Sequence, residues 1–143
     1  MLVHDKNLED WGQDHYRGRV FVTRDAAEFL RWVAESRTCA VFIDEARHVC
    51  GRDSDDRFIN LATEGRHRGH AMHFCTQQIT SIHHEIRANC ARTFVFNLRA
   101  NEAKKTAQHL GRPEIERLAT SLPQGEFLLD HPMQPLRRMR VGG

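Results

Sequence analysis

The sequence lacks several features that define particular classes of protein. No apolar run approaches the roughly 18 residues that a membrane-spanning helix needs, and no basic–apolar signal segment opens the chain. Its four cysteines show no C-x-x-C spacing and sit mostly beside apolar runs, which favours reduced core thiols over a disulfide set or a zinc site. We therefore expect a soluble, intracellular protein that resides in the cytoplasm.

What is present is an ordinary globular composition with an uneven charge distribution. The 143 residues are 40% hydrophobic and 28% charged, enough for one domain with a buried core. Residues 1–64 contain nine basic and thirteen acidic residues, whereas residues 65–143 contain twelve basic and six acidic residues. The second half could therefore face a polyanion, although a solvated charged surface explains the pattern equally well.

One apolar run organises the chain. Ala40–Ile43 (AVFI) is continuous, contains β-branched and aromatic side chains, and ends in two acids, Asp44 and Glu45. Such a run is typical of a strand buried on both faces of a parallel sheet. Acids that follow it lie at the sheet edge where open α/β folds bind ligands. One carboxylate there can hold Mg²⁺ while its neighbour orients an attacking water.

The remaining pattern alternates strands with helices, which predicts an α/β fold with a largely parallel sheet over a single domain, residues 1–143. Asp25 is the expected N-cap of a helix, with Glu28 as its capping-box partner. A second helix, capped by Asp55 or Asp56, is expected to end near Gly65. Strands are predicted at residues 2–6, 19–24, 40–43, 70–75, 92–98, 125–130 and 136–141, and helices at 26–36, 56–65, 82–89 (capped by Ser81), 101–110 and 113–122.

Two further polar positions carry chemistry. Gln77 follows the strand at 70–75, and an amide at a strand tip can hydrogen-bond both a phosphate oxygen and a water. Residues 64–69 (EGRHRG) are predicted to form a tight basic turn that presents Arg66 and Arg68. An exposed guanidinium can stabilise charge on a phosphoryl group held by a neighbouring subunit.

The ordered series hhhhDE, GRxxG, hhhxTQ, IxxN and a third strand resembles the HerA/FtsK branch of P-loop ATPases, which move DNA or export substrates. The matching stretches cover roughly residues 1–100: LVHDK (2–6), AVFIDEA (40–46), EGRHRGHAMHFCTQQ (64–78) and IRANCARTFVFNL (86–98). The spacing is also similar to that of genome-packaging ATPases of membrane-containing tailless viruses, which would make the location host cytoplasm or virion-associated.

The resemblance implies a RecA-like, three-layer αβα core that binds ATP and Mg²⁺ and works as a homo-oligomeric ring on DNA, usually a hexamer. It assigns the Mg²⁺ to Asp44, water activation to Glu45 and the sensor role to Gln77. Arg66 would be the arginine finger, with Arg68 as the second candidate.

The sequence departs from this family at the phosphate-binding loop. Its only lysines are Lys6, Lys104 and Lys105, and no G-x-x-x-x-G-K motif followed by Ser or Thr occurs. That loop supplies the backbone cradle and the lysine that neutralise the phosphates. Because its strand would lie just upstream of Met1, we expect this chain to be the C-terminal part of an ATPase, inactive as it stands.

Two alternatives remain open. A metal-dependent nuclease could use Asp5, Asp44, Glu45 and Asp53 as a carboxylate cluster for two metal ions. That reading explains the acids and the basic half but leaves Gln77 and the arginine turn without a role. A degenerate, non-hydrolysing ring subunit would fit the missing phosphate-binding loop directly.

Overall fold

The structure is a computed structural model that describes residues 1–5, 7 and 19–142. The chain divides into two compact units. The first comprises Met1–Gln77 and Ser81–Asn89, and the second comprises Gln78–Thr80 and Cys90–Gly143. The sequence prediction of one domain over 1–143 stays a prediction. The polar residues 7–18, whose two glycines and one tryptophan favour a loop, lie almost entirely outside the described residues.

The first unit is built on a four-stranded sheet in which every pair is parallel, in the order β2-β1-β3-β4. His4 lies opposite Ile43, and Ile43 lies opposite Phe74, so the strands end at a common edge. This confirms the predicted α/β class with a parallel sheet. The strands are β1 (Leu2–His4), β2 (Phe21–Thr23), β3 (Ala40–Ile43) and β4 (Ala71–Phe74).

Helix α1 (Ala26–Glu35) begins where the sequence predicts, but its capping differs in detail. The Asp25 side chain accepts a hydrogen bond from the Glu28 N–H at 2.8 Å, as expected of an N-cap. The Glu28 carboxylate does not return to the Asp25 N–H. It accepts from Thr23 Oγ1 at 2.7 Å, and Thr23 Oγ1 in turn accepts the Asp25 N–H at 3.0 Å. Thr23 therefore bridges the two residues of the predicted capping box.

Helix α2 (Asp56–His67) is capped by Asp55 and runs beyond the predicted end at Gly65. Gly65 is buried within the helix, and a Cβ at this position would lie 2.7 Å from Met72 Sδ. The glycine thus allows close packing against β4, where a larger residue would require the Met72 side chain to shift. The predicted basic turn over residues 64–69 is wrong, because Arg66 belongs to the last helical turn and Arg68 is the C-cap.

The core of the first unit contains a buried histidine. The His4 ring packs edge-on against Phe29 of α1 and Phe58 of α2, with centroid distances of 5.4 and 5.9 Å. The side chain is only 4% exposed, and neither ring nitrogen has a hydrogen-bond partner among the residues that the structure describes. Burial is the main cause that lowers the pKa of His4. The unit closes with α3 (His84–Asn89), which begins two residues later than predicted and buries Ile86 as expected.

The second unit is a three-stranded antiparallel sheet, in the order β5-β6-β7, beside two helices. The RTFVFNL stretch was predicted to continue the parallel series, but its strand pairs antiparallel with β6 in this separate sheet. Helix α4 ends at Gly111, whose φ of 65° favours glycine. The elements are β5 (Thr93–Val95), α4 (Ala100–Leu110), α5 (Glu114–Leu118), β6 (Glu126–His131) and β7 (Gln134–Arg140).

The core of the second unit lies between one face of its sheet and the two helices. Val95 of β5 and Leu128 of β6 point into it, together with Ala103 and Ala107 of α4 and Ile115 of α5. In the described part of the chain, no helix is both long and apolar enough to cross a membrane.

Candidate functional site

The candidate site lies at the carboxyl edge of the parallel sheet, where β3 and β4 end side by side. Asp44 and Glu45 follow β3, and Gln77 comes three residues after β4. The Gln77 Nε2 group donates a hydrogen bond of 2.7 Å to Glu45 Oε1. The structure thus brings together the acidic pair and the amide that the sequence pattern singled out, in the neighbouring positions expected for them.

The backbone at Glu45 has an unusual conformation that aims its side chain. Its φ and ψ are 44° and 45°, in the left-handed region, immediately before a short 3₁₀ turn at Ala46–His48. A residue other than glycine costs about 1 kcal/mol or more in such a conformation. The conformation is held from behind, because Ala46 is fully buried and its N–H donates to the Cys75 carbonyl at 2.8 Å. The strain is therefore located at the residue whose carboxylate meets Gln77.

The second oxygen of Glu45 faces an arginine that sequence reasoning missed. Arg47 Nε lies 3.3 Å from Glu45 Oε2, an ion pair by distance. The same oxygen is buried and accepts no hydrogen bond among the described residues, so the Arg47 N–H is not aimed at it. The contact is electrostatic, between side chains that are 40% (Arg47) and 21% (Glu45) exposed. Each oxygen of the carboxylate thus faces a different donor-bearing side chain.

Asp44 offers a carboxylate that is suited to a metal ion. Its N–H donates to the His4 carbonyl at 2.9 Å, which fixes the backbone between two strands. Its half-buried side chain has no hydrogen bond or ion pair with any residue that the structure describes. Burial, and secondarily the nearby Asp44 charge, raise the pKa of the Cys75 thiol, so that thiol stays protonated. A single free carboxylate fits Mg²⁺, which commonly takes one or two protein carboxylates and fills its other positions with water and phosphate.

The carboxylates of the nuclease alternative do not converge. Across residues 1–5, 7 and 19–142, no three His, Cys, Asp or Glu side chains come together in a group that could hold a metal ion. Asp5 is fully buried, and its Oδ1 accepts the Asn7 N–H at 2.7 Å, an arrangement typical of a structural turn. Asp53 lies in the loop before α2. A two-metal cluster of Asp5, Asp44, Glu45 and Asp53 therefore receives no support.

The two predicted arginines, Arg66 and Arg68, lie at the end of the sheet where β4 begins, opposite to the end that carries Gln77. Both precede β4, whereas Gln77 follows it, and the four residues of β4 alone span about 13 Å at 3.3 Å per residue. Arg66 is exposed, while Arg68 Nη1 donates to the Ala34 carbonyl at 2.6 Å. Arg68 thereby satisfies a carbonyl in the last turn of α1. Neither arginine can reach Glu45 within its own subunit.

The sheet stops at β4, next to the candidate site. β4 pairs only with β3 among the described strands. The N–H groups of Ala71 and Cys75 donate to Cys39 and Ile43 on the β3 side, so the alternate backbone groups of Met72 and Phe74 point away from β3. The exposed edge of β4 is therefore competent to pair with a further strand.

Comparison with known proteins identifies relatives in fold. No protein-family model matches the sequence, and no curated protein matches it as a relative. The chain is similar to the genome packaging NTPase B204 from Sulfolobus turreted icosahedral virus 2, solved in complex with ATP-gammaS (TM-score 0.73) and with AMPPCP (TM-score 0.76). Each match has 17% identity and covers 97% of this chain and 80% of B204.

A similar match is found with B204 of Sulfolobus turreted icosahedral virus, described as a DNA-packaging ATPase, at 16% identity and a TM-score of 0.73. It covers 97% of this chain and 81% of that protein. At this level of identity the similarity establishes the fold. The chain has the RecA-like α/β fold of these packaging NTPases, as the sequence resemblance implied.

Proposed function

We propose that this chain is the C-terminal portion of an ATP-hydrolysing motor of the HerA/FtsK superfamily that packages or translocates DNA. The observation that carries the proposal is the hydrogen bond between Gln77 and Glu45 at the carboxyl edge of adjacent parallel strands. ATP and DNA are the ligands by which B204 is described, and we extend both to this chain.

In this proposal the Glu45 carboxylate orients a water and accepts its proton. Gln77 holds one oxygen of that carboxylate in place, leaving the other oxygen beside Arg47. Gln77 is exposed, and its amide can both donate to a phosphate oxygen and accept from a water, which suits a sensor. Asp44 would hold Mg²⁺, which when bound neutralises charge on the phosphates.

The phosphate cradle is expected outside the 143 residues. The sequence contains no G-x-x-x-x-G-K motif, and the chain by itself should show no specific ATP binding. The edge of β4 that lies away from β3 is the place where a P-loop strand would pair. Such a strand would end beside Asp44, Glu45 and Gln77, as a P-loop must if those residues act on its phosphates.

We further propose that Arg66 acts on the nucleotide of a neighbouring subunit in a homo-oligomeric ring. A hexamer is the first ring size to test. Its position before β4, at the end of the sheet away from Glu45, supports action on a neighbour, and its exposed side chain is available for that contact. Arg68 is the weaker candidate, because it is already engaged with the end of α1. The degenerate ring subunit is the competing function and would use the same surfaces without hydrolysis.

The test begins with the coding DNA immediately upstream of Met1, where an in-frame G-x-x-x-x-G-K would define a complete polypeptide. In that polypeptide, Glu45→Gln should keep nucleotide binding and lose turnover by about 10²–10⁴-fold, the usual contribution of a general base. The matched control is Glu64→Gln, an exposed glutamate on α2 at the far edge of the sheet. Turnover of Glu45→Gln within about threefold of wild type would place the base elsewhere, and a complete wild-type chain without turnover would favour the degenerate subunit.

A further inference from the structure

The second unit exposes an aromatic surface that the proposed ATPase site does not use. Side chains alternate across a sheet, so with Val95 and Leu128 directed into the core, Phe94, Phe96 and Phe127 lie on the opposite face. Phe94 and Phe96 are 49% and 50% exposed. Each ring contacts Phe127 with a centroid distance of 5.5 Å. We call this surface the aromatic face.

Positive charge flanks the aromatic face without neutralisation. Arg137 lies opposite Leu129, and Leu129 lies opposite Phe94, which places Arg137 on the same face. Arg92 precedes β5 by one residue and alternates in phase with Phe94. Neither arginine forms an ion pair with any acidic residue that the structure describes.

The acidic residues of the sheet lie on its other side. Glu126 and Asp130 alternate with Leu128, and both are paired there, Glu126 with Arg138 and Asp130 with Arg112. Among the residues of this sheet, the aromatic face therefore has exposed rings and positive charge but no carboxylate. Two copies of this chain joined through the same face would bring their arginines together without a counter-charge, which disfavours self-association.

We propose that the aromatic face binds single-stranded nucleic acid. Unpaired bases stack on exposed aromatic rings, and the phosphodiester backbone is attracted by arginines at the border of the rings. A duplex offers the same phosphates but keeps its bases stacked on one another, so the rings add nothing to duplex binding. The inference depends on the sheet of the second unit alone, and its failure would leave the ATPase proposal unaffected.

The test measures fluorescence anisotropy of the full chain with a labelled oligothymidylate of about twelve nucleotides, a length within the usual site sizes. An abasic strand of the same length and a duplex serve as comparison ligands. We expect the oligothymidylate to bind at least about fivefold more tightly than the abasic strand, the lower range for one stacked base. Equal affinity for the two strands would overturn the proposal.

Variants separate stacking from charge. Phe94→Leu and Phe127→Leu should reduce the affinity for the oligothymidylate towards that for the abasic strand. Phe94→Trp keeps an aromatic ring and should retain the affinity of the wild type. The matched control is Phe21→Leu, because Phe21 is 45% exposed but belongs to the first unit. Leucine variants that bind as tightly as wild type, with circular dichroism confirming that they are folded, would refute the role of the rings.

The arginine is tested through the salt dependence. Arg137→Gln should weaken binding to the oligothymidylate and the abasic strand alike and reduce the slope of log K against log salt by about 0.7. Arg117→Gln, an exposed arginine on α5, should leave the slope unchanged. If sedimentation instead detects a dimer that Phe94→Leu dissociates, the aromatic face is an interface between copies and the nucleic-acid proposal fails.

Discussion

Acidification should destabilise the first unit through one buried histidine. The His4 ring packs against Phe29 and Phe58, and within the described part of the chain neither of its nitrogens has a hydrogen-bond partner. Burial lowers its pKa, and the charges of Asp5 and Asp25 offset that effect only in part. The folded protein therefore binds this proton less readily than the unfolded chain. The stability contribution is complete above the unfolded pKa and is lost as the pH falls below it.

The size of the effect follows from proton linkage. Each pH unit below the unfolded histidine pKa of about 6.5 removes up to about 1.4 kcal/mol, until the pH reaches the lowered pKa of the folded state. With a urea m-value of about 1–3 kcal/mol/M, each such pH unit lowers the unfolding midpoint by at most about 0.5–1.4 M. A denaturant titration can resolve a midpoint shift of that size.

The assay uses urea titrations at about pH 7.5 and about pH 5.5, on either side of the unfolded pKa. Trp32 packs against Phe21 in the first unit and reports its unfolding, and the other tryptophan, Trp11, is replaced by Phe. His4→Leu should reduce the stability lost between the two pH values, by up to about 1.4 kcal/mol. The exposed His67 provides the control variant His67→Gln. An undiminished loss in His4→Leu would refute the assignment.

Two further outcomes are expected. In the complete polypeptide, Arg66→Ala should lower turnover by about 10³-fold or more. Mixing Arg66→Ala subunits with Glu45→Gln subunits should restore part of the activity. If activity is not restored although subunit exchange is proven, action between subunits is excluded. Arg112→Met should lower the free energy of unfolding by about 2–4 kcal/mol, because it leaves the buried Asp130 charge unpaired although Arg112 itself is 26% exposed. Arg138 pairs with Glu126 in a more exposed position, so Arg138→Met should lower the free energy of unfolding by less than about 1 kcal/mol. An equal loss for Arg112→Met and Arg138→Met would contradict this reasoning.

The sequence predicted best those features that depend on local pattern. The strand Ala40–Ile43 was found with the predicted bounds, since its apolar run ends sharply in acids. The meeting of Glu45 and Gln77 also followed from pattern, because parallel strands place their carboxyl ends at one edge. The predicted end of α2 near Gly65 is wrong, because glycine is typical of helix ends but here lies inside the helix. Gly65 instead packs closely against Met72, which the sequence does not indicate.

Features that depend on a partner distant in the sequence could not be predicted from local pattern. Nothing local in RTFVFNL tells whether its neighbour runs parallel or antiparallel, so its strand was assigned to the wrong sheet. The approach of Arg47 to Glu45 depends on the left-handed backbone between them and could not be read from their spacing. The signal that could have indicated Arg47 is its position two residues after the acid, in a turn rather than in a continuing strand or helix. The roles of Asp44, Glu45, Gln77, Arg66 and Arg68 stay predictions.

The backbone conformation of Glu45 sets stability against activity at a single position. Glycine adopts a φ of 44° without steric cost, and asparagine tolerates it better than glutamate does. A library selected only for heat resistance should therefore enrich glycine or asparagine at position 45, with a gain of about 1 kcal/mol over glutamate. Those same clones would lack the carboxylate that meets Gln77. Deep mutational scanning of the complete polypeptide would then rank position 45 in opposite directions under thermal selection and under selection for turnover, and this opposition would mark the residue as functional.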